Sequence, residues 1–387
     1  MTAALSLCTL HFSPAVASLS LLLFFLSLIT QLNKERLSVH KTLLLFTLLW
    51  CLSQFAIQLG LGYDHEAMRK LLIRLPLVFL PLIWCVQPIA SVRFVALLLL
   101  AVGIVHTWIG GASVLNYFAH YRFLNQMVLE SKPLPLFSSV YHIEFSLILA
   151  IVSLLQISFL RVLDKPSLRW LMAVSMLLNI VCLHVLSART GILAFWLGLP
   201  FLLKGVPMPN MLSGRKKWIL MMLPVLLIIV VPSLRNRVKN TFDDLMAVKQ
   251  SQNLSDKSFG RRWEAWKVAA AAINEHPWSG AGFSGVENAM FKGFEKKQSY
   301  LHVTDRIKPH NQFLELALQT GVVTLLLFCI WLIMLFRHYW RLHNYAAIAV
   351  LMALMISMFF ESYMERQSGV AVFVVALFFV LFTEKKE

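Results

Sequence analysis

Charged residues are scarce in this chain. They make up 14% of the 387 residues, whereas soluble globular domains carry about 25%. Hydrophobic residues make up 58% and gather in long runs such as 42–61, 95–109, 219–231 and 322–336. This composition excludes a soluble globular protein and predicts an all-α polytopic membrane protein. A transmembrane β-barrel is excluded because its strands would show segments of about 10 alternating residues.

Acidic residues are scarcer still. The chain has 35 Lys and Arg against 19 Asp and Glu, and its formal net charge is +16. Such an excess also occurs in nucleic-acid-binding proteins, but a membrane protein has a simpler reason for it. Lys and Arg accumulate in short cytoplasmic loops because they resist translocation. We therefore expect membrane lipids as partners and no nucleic acid.

Several sequence signals are missing. The five cysteines all lie in apolar segments, so they indicate neither a disulfide framework nor a metal site. The first 30 residues contain no Lys or Arg, which predicts a retained membrane helix instead of a cleaved signal peptide. The chain also lacks a Walker-type phosphate loop, a His-Glu-x-x-His zinc motif and an Asp-x-Asp metal motif. Nothing in the sequence therefore indicates a metal or nucleotide cofactor.

Short basic connectors alternate with longer or less basic ones. The basic connectors, at 33–41, 161–169, 204–217 and 337–343, are placed in the cytoplasm by the positive-inside rule. Those at 62–70, 111–137, 187–190, 235–310 and 361–368 would face outward. About 12 membrane helices are needed to place every connector on its expected side. We predict them at residues 3–14, 15–31, 42–61, 71–88, 93–110, 138–160, 169–186, 190–204, 217–233, 311–336, 344–360 and 369–383. Ser13-Pro14 only hints at a break, so residues 1–31 form one helix or two.

One polar stretch, residues 235–310, interrupts the apolar pattern. It divides the chain into nine predicted membrane helices (1–234), a large outer loop (235–310) and three further membrane helices (311–387). Within the loop, residues 260–274 are predicted to form an amphipathic helix on the membrane interface, with one stripe at Trp263, Trp266, Ala270 and Ile273. His276-Pro277 would end this helix, and a glycine-rich turn would follow.

Three outward-facing positions carry side chains suited to catalysis. Arg189 lies at the outer end of the seventh predicted helix, Arg262 or its neighbour Arg261 begins the loop helix, and His310 begins the tenth membrane helix. Each residue has a structural interpretation as well: an anchoring arginine, a solvated surface charge and a helix-capping histidine. Asn311 follows His310 at the helix start, so backbone N–H groups could point at an anion.

Together these side chains favour chemistry on a lipid pyrophosphate. An arginine fork donates paired hydrogen bonds to phosphate and stays charged. A histidine takes a proton from a hydroxyl near neutral pH. Two arginines and one histidine on the outer face of a membrane protein fit transfer from a lipid pyrophosphate donor.

Other polar or aromatic side chains fall in outer loops or at outer helix ends, and for each a structural role is the simpler interpretation. Glu144 lies slightly inside the sixth predicted helix, where an unpaired carboxylate is costly, so it needs a partner or a cavity. Glu365 is expected to pair with its neighbour Arg366. The remaining candidates of this group are Arg122, Tyr141, His142, Trp266 and Glu361.

At these residues the chain resembles the O-antigen ligase and polymerase superfamily of bacterial envelope glycosyltransferases, and it looks most like an O-antigen ligase. The matching pieces are SARTG (187–191), R-x-x-x-W (262–266) with HPWSGAGF (276–283), and HNQFLELALQTG (310–321). ESYMERQSGV (361–370) looks like an outer turn of some members. The motifs cover residue 187 to the C-terminus, and the N-terminal half matches by helix pattern alone. The ordered set does not separate a ligase from a polymerase.

The resemblance implies a multi-helix fold of the GT-C type in the bacterial inner membrane, with the active site facing the periplasm. The donor would be a glycan on undecaprenyl diphosphate. In a ligase the acceptor would be a hydroxyl of the lipid A core oligosaccharide, and no metal or nucleotide would be needed. Arg189 and Arg262 match the family's diphosphate-binding arginines, with Arg261 as the alternative in the doublet. His310 matches the histidine that activates the acceptor for an inverting attack.

Three other functions compete with an O-antigen ligase. A polymerase would use the same donor with another lipid-linked glycan as acceptor. A protein O-oligosaccharyltransferase is less favoured, because its relatives often carry additional C-terminal sequence. A lipid or glycan transporter should carry ionisable groups in mid-membrane, broken helices and paired repeats, whereas most charges here fall at predicted helix ends.

Overall fold

A computed structural model of the chain describes residues 1–32, 41–62, 64–80, 82–86, 90–205, 215–250, 254, 257–297, 299 and 301–383. These residues are helical apart from turns, loops and one isolated β-bridge between Leu32 and Val86. The predicted all-α class is therefore confirmed. Most of the basic connectors 33–41 and 204–217, and the end of the chain at 384–387, lie outside the described residues.

The helices follow one another along the whole chain. In order they are α1 (Thr2–Thr9), α2 (Pro14–Ile29), α3 (Lys41–Leu61), α4 (His65–Val78), α5 (Leu82–Cys85), α6 (Val92–Ala119), α7 (Tyr121–Leu129), α8 (His142–Phe159), α9 (Pro166–Val185), α10 (Arg189–Gly205), α11 (Arg215–Val230), α12 (Pro232–Lys249), α13 (Ser258–Glu275), α14 (Val286–Lys296), α15 (Gln312–Arg341), α16 (Tyr345–Met358) and α17 (Gln367–Val380). Short 3₁₀ turns lie at Val303–Asp305, Tyr363–Glu365 and Leu381–Thr383.

Five of these helices are long and apolar enough to cross a membrane: α3, α6, α8, α9 and α15. Shorter apolar helices lie at Pro14–Ile29, Tyr345–Met358 and Gln367–Thr383. This pattern agrees with a multi-pass membrane protein, while the count of about 12 spans stays a prediction. Residues 1–31 form two helices, because Ser13 caps α2 by accepting the N–H of Val16 and Pro14 occupies the first helical turn.

Two predicted connectors contain helices. The stretch predicted as an outer loop at 111–137 includes the end of α6 and the whole of α7. The predicted loop 235–310 contains most of α12 and all of α13 and α14, so the polar segment is a packed helical unit. The fourth predicted helix, 71–88, corresponds to two helices: α4, which begins earlier, at His65, and ends at Val78, and the short α5.

Helix α8 lies at the centre of the bundle. It is buried along most of its length and packs against α10, α16, α9 and α6. Gly191 explains the close approach of α10, because a Cβ at this position would lie 2.5–2.6 Å from atoms of Ser146 on α8. This contact brings the start of α10 beside the start of α8, where the candidate residues lie.

Helix α13 carries the predicted loop motif and buries one face. Ala265, Val268, Ala269 and Ala272 form a buried stripe at helical spacing, and they share a small core with α14. Trp263, which belongs to the predicted amphipathic stripe of this helix, is exposed. The placement of that stripe on a membrane interface stays a prediction. The helix ends at Glu275, as expected from His276-Pro277.

Helix α15 is broken at Gly321, so the prediction of one unbroken helix at 311–336 is wrong. Gly321 has φ 78° and ψ 175°, a backbone conformation that is essentially restricted to glycine. The HPWSGAGF segment fills the break. Ala281 N–H donates to the Leu318 carbonyl at 2.7 Å, and Val322 N–H donates to the Pro277 carbonyl at 2.8 Å. The HPWSGAGF segment is thereby fixed to α15 through the backbone groups that the break leaves free.

Candidate active site

The SARTG motif forms the tight connection between α9 and α10. Ser187 is buried and has φ 52°, the left-handed conformation that is uncommon for residues other than glycine. This turn makes Arg189 the first residue of α10 and directs its side chain toward α12. Its Nη1 lies 3.9 Å from Oδ2 of Asp244. The predicted position of Arg189, at a helix end, is therefore observed.

Helix α12 brings a further arginine to this place. Arg237 is 7% exposed and donates a hydrogen bond to the Lys132 carbonyl. Burial, and then the charge of Arg189, lowers the pKa of Arg237 to about 10. Asp244, two turns further along the helix, accepts the N–H of Phe259 at 2.8 Å and so joins α12 to the start of α13. The motif search missed Arg237, because an arginine in a polar helix gives no local signal.

His310 is held in an unusual backbone conformation. Its φ is 45°, and strain of this kind costs about 1–3 kcal/mol, so it is maintained by the surrounding contacts. Trp266 Nε1 donates to the Pro309 carbonyl at 2.7 Å on one side. On the other side Asn311 caps α15, its side chain accepting the N–H groups of Phe313 and Leu314 at 3.0 and 3.1 Å. Trp266 and Asn311 thus position the histidine.

Glu361 connects the histidine to an arginine. His310 Nδ1 lies 3.0 Å from one carboxylate oxygen of Glu361, and Arg262 Nη2 donates to the other oxygen at 2.6 Å. Burial raises the pKa of Glu361, but the hydrogen bond from His310 and the charge of Arg262 outweigh burial and hold the pKa below its usual range. Glu361 is therefore a buried carboxylate that is ionised at neutral pH.

The arginine doublet is divided between two places. Arg262 faces Glu361, whereas Arg261 Nη1 lies 3.6 Å from Asp305. Arg189 and Arg262 are close enough for their charges to interact. The structure therefore brings Arg262 to His310 and Arg189, and it does not bring Arg261 there.

A second ion pair borders the site. Arg366 Nη1 donates to Glu144 at 3.0 Å, and its guanidinium lies 4.5 Å from the centre of the Tyr141 ring. Glu144 thus has the partner that its position required. The expected pair of Glu365 with Arg366 is wrong, because Glu365 forms its ion pair with Arg74 on α4. His142, at the start of α8, is close enough to interact electrostatically with Arg237, Arg262, Glu361 and Arg366.

Arg122 does not join this group. It is exposed on α7, and within the described part of the chain no hydrogen bond or ion pair links it to His310, Glu361 or the arginines. Its role as a site residue stays untested. The described residues of the chain contain no group of three or more His, Cys, Asp or Glu side chains that could hold a metal ion.

The arrangement as a whole suits an anionic ligand beside a base. Arg189, Arg237 and Arg262 converge from α10, α12 and α13, and their only carboxylate partners here are Asp244 and Glu361 among the described residues. A diphosphate could take hydrogen bonds from these guanidinium groups. His310, about one quarter exposed, lies at the same place.

The chain matches a known family over its central region. The sequence profile described as O-antigen ligase matches residues 171–329, which extend from α9 into α15 and include Arg189, Arg237, Arg262 and His310. Glu361 lies beyond the matched region. A search of curated proteins found no match. The match over residues 171–329 therefore supports a place for this membrane protein in the O-antigen ligase and polymerase superfamily of glycosyltransferase-type enzymes.

Proposed function

We propose that the protein is an O-antigen ligase of the bacterial inner membrane. It would transfer a glycan from undecaprenyl diphosphate to a hydroxyl of the lipid A core oligosaccharide on the periplasmic side. The single observation that carries this proposal is the chain of contacts from His310 through Glu361 to Arg262, with Arg189 nearby. It unites a base and anion-binding groups in one place, as a transfer from a lipid diphosphate requires.

His310 acts as the general base in this proposal. Its Nδ1–H donates to Glu361, so the other ring nitrogen, Nε2, carries a lone pair that can take the proton of the acceptor hydroxyl. The ionised carboxylate then faces the imidazolium that forms. Because Glu361 is 3% exposed, water screens this interaction weakly and the stabilisation of the charged histidine is correspondingly large.

Arg189 and Arg262 act on the leaving group. As the acceptor oxygen forms its bond to the anomeric carbon, the bond from that carbon to the diphosphate oxygen breaks and the electron pair stays on the diphosphate. The negative charge that grows there is stabilised by guanidinium groups already in place, which favours the transition state over the ground state. Attack from the face opposite the leaving group inverts the anomeric configuration. The proposed step uses no metal and no nucleotide.

The reaction is tested with the purified full-length protein in proteoliposomes that contain the lipid diphosphate donor and a lipid A core acceptor. His310→Ala and Arg189→Ala should each abolish transfer while the protein stays folded and inserted. Arg262→Lys should lower the rate about 100-fold, because Lys cannot donate the paired hydrogen bonds of Arg. Arg261→Lys is the matched control and should stay within about twofold of the wild type, since its partner is Asp305. Full activity of His310→Ala or Arg189→Ala would remove that residue from the mechanism.

Deletion of the protein from cells separates a ligase from its competitors. Loss of a ligase leaves long glycan chains on the carrier lipid. Loss of a polymerase instead leaves single repeat units on the carrier and a core capped with one unit. Loss of a transporter prevents the donor from reaching the outer leaflet, and either of these last two results would overturn the proposal.

A further inference from the structure

A second group of buried charged side chains lies where α4 contacts the HPWSGAGF segment. Lys70 and Arg74 are 4% and 1% exposed, and both face Glu365, which follows Glu361 by four residues. The proposed reaction uses none of these three side chains. A buried arginine with several polar partners costs free energy unless each partner is well placed, so the arrangement needs an explanation.

Arg74 holds together three separate pieces of the chain. Its guanidinium lies 4.5 Å from the centre of the Phe283 ring in the HPWSGAGF segment. It donates to the Gln319 side chain on α15, two residues before the break at Gly321. It also donates to the Glu365 carboxylate and, at 3.4 Å, to the Met364 carbonyl in the 3₁₀ turn between α16 and α17.

Two of these three pieces directly follow a residue of the candidate site, and the third follows the helix that carries one. The HPWSGAGF segment follows α13, which carries Arg262. Helix α15 begins two residues after His310. The 3₁₀ turn begins two residues after Glu361. One guanidinium from the N-terminal half of the chain therefore contacts the segment that follows α13, the helix that follows His310 and the turn that follows Glu361.

Neighbouring contacts fix the HPWSGAGF segment and Arg74 itself against α3 and α4. Arg74 Nη1 donates to Gln54 on α3 at 2.6 Å. Lys70 Nζ donates to the Phe283 carbonyl at 2.7 Å, while the Phe283 N–H donates to Gln58 at 2.8 Å. The backbone of Phe283 is thus bound on both sides by buried side chains, and Arg74 covers its ring.

The planar fork of arginine suits this role. Its donors point in several fixed directions at once, so one side chain can bind Gln54, Gln319, Glu365 and a backbone carbonyl. A lysine at the same place would keep the charge opposite Glu365 but would lose most of the directional bonds. The geometry therefore favours a role in placing segments over a role in neutralising one carboxylate.

We propose that Arg74 is a positioning residue, which sets Glu361, His310 and Arg262 in their mutual geometry by joining the HPWSGAGF segment, α15 and the 3₁₀ turn. It touches neither the proposed donor nor the acceptor. This inference rests on the proposed function for its effect on catalysis, but its structural part is independent of the reaction.

The test compares Arg74→Met with Arg69→Met, a matched substitution at an exposed arginine of the same helix. In the proteoliposome transfer assay, kcat per folded molecule should fall at least tenfold in Arg74→Met, while the KM for the donor changes less than threefold because Arg189 is untouched. Arg69→Met should match the wild type in both constants. Arg74→Lys should fold normally and give an intermediate kcat. A kcat of Arg74→Met within twofold of the wild type would overturn the proposal.

Hydrogen exchange measured by mass spectrometry makes the result independent of activity. In Arg74→Met, peptides covering 277–283, 312–321 and 361–366 should exchange faster than in Arg69→Met. Where Arg74→Met folds poorly, the double variant Arg74→Met/Glu365→Gln removes the whole Arg74–Glu365 ion pair and leaves Lys70 paired with Glu66. It should fold while showing the same faster exchange. Exchange that changes only within α4 would overturn the proposal. If the wild type transfers no glycan, the proposed function fails, and the exchange data alone then decide whether Arg74 joins the three segments.

Discussion

Replacing Glu361 by Gln removes one charge from the centre of the site and leaves the size of the side chain unchanged. The two carboxylate oxygens of Glu361 serve His310 at 3.0 Å and Arg262 at 2.6 Å. A glutamine amide has one acceptor oxygen and one NH₂ donor group, so one of these two donors would face another donor. The side chain is 3% exposed, and water cannot readily replace the lost partner.

The expected loss follows from the strength of the contacts. A hydrogen bond to a charged group contributes about 1.5–3 kcal/mol, and each ~1.36 kcal/mol of barrier changes a rate tenfold. The bond between Glu361 and the histidine matters most in the transition state, when His310 has gained the proton of the acceptor. Glu361→Gln should therefore lower kcat by about 10- to 150-fold. Glu361→Ala should lower it further, because both donors lose their partner.

The assay is the initial rate of glycan transfer in proteoliposomes, measured over a range of donor concentrations. Glu287→Gln is the control, since Glu287 is an exposed carboxylate on α14 that pairs with Lys308 at 2.7 Å. Exposed pairs contribute about 1 kcal/mol or less to stability, so this variant should keep the wild-type kcat. If Glu361→Gln also keeps the wild-type kcat within twofold, the carboxylate neither orients nor stabilises His310, and the mechanism loses its central contact.

Two further predictions concern the stability of the fold. Gly321→Ala should lower the free energy of unfolding by about 1–3 kcal/mol or more, because alanine is strained at this backbone geometry and its Cβ would meet the Trp278 carbonyl. Gly111→Ala is the control, since a Cβ at that position meets open space. An equal Tm for the two variants in detergent would contradict the role of the break. The lowered pKa of Glu361 means that its ionised form stabilises the folded state above the ordinary carboxyl pKa of about 4.3, and that this stabilisation is lost as pH falls through the lowered value. The Tm of the wild type should therefore fall more than that of Glu361→Gln on acidification below about pH 4.3, and parallel curves would show that Glu361 is not held ionised by its partners.

The sequence supported the prediction of helices and of the motif residues, because both depend on local information. Apolar runs predicted most of the long helices, and the order of SARTG, R-x-x-x-W and HNQ predicted which arginines and histidine to examine. The arginine doublet, Arg261 and Arg262, is one example. Spacing favoured Arg262, and the fold agrees because only Arg262 reaches Glu361, whereas Arg261 turns to Asp305.

Other features required long-range contacts that a local pattern does not contain. Arg237 lies in a polar helix that resembles any solvated helix in sequence. It becomes part of the site because α12 packs against α7 and α9, and the side chain is buried and bound to the Lys132 carbonyl. Glu365 was expected to pair with the adjacent Arg366, but successive side chains in the turn face opposite sides. Arg366 therefore meets Glu144, and Glu365 meets Arg74.

The sequence by itself determined the all-helical, membrane-embedded class and the identity of the three motif residues, because hydrophobic length and residue type act locally. The tertiary structure alone decided which carboxylate joins His310 to Arg262, how HPWSGAGF enters the break in α15, and why Arg74 touches all three segments. These contacts join residues between 37 and 291 positions apart in the chain. Their geometry depends on how the helices pack, and it is this packing that turns three separate motifs into one site.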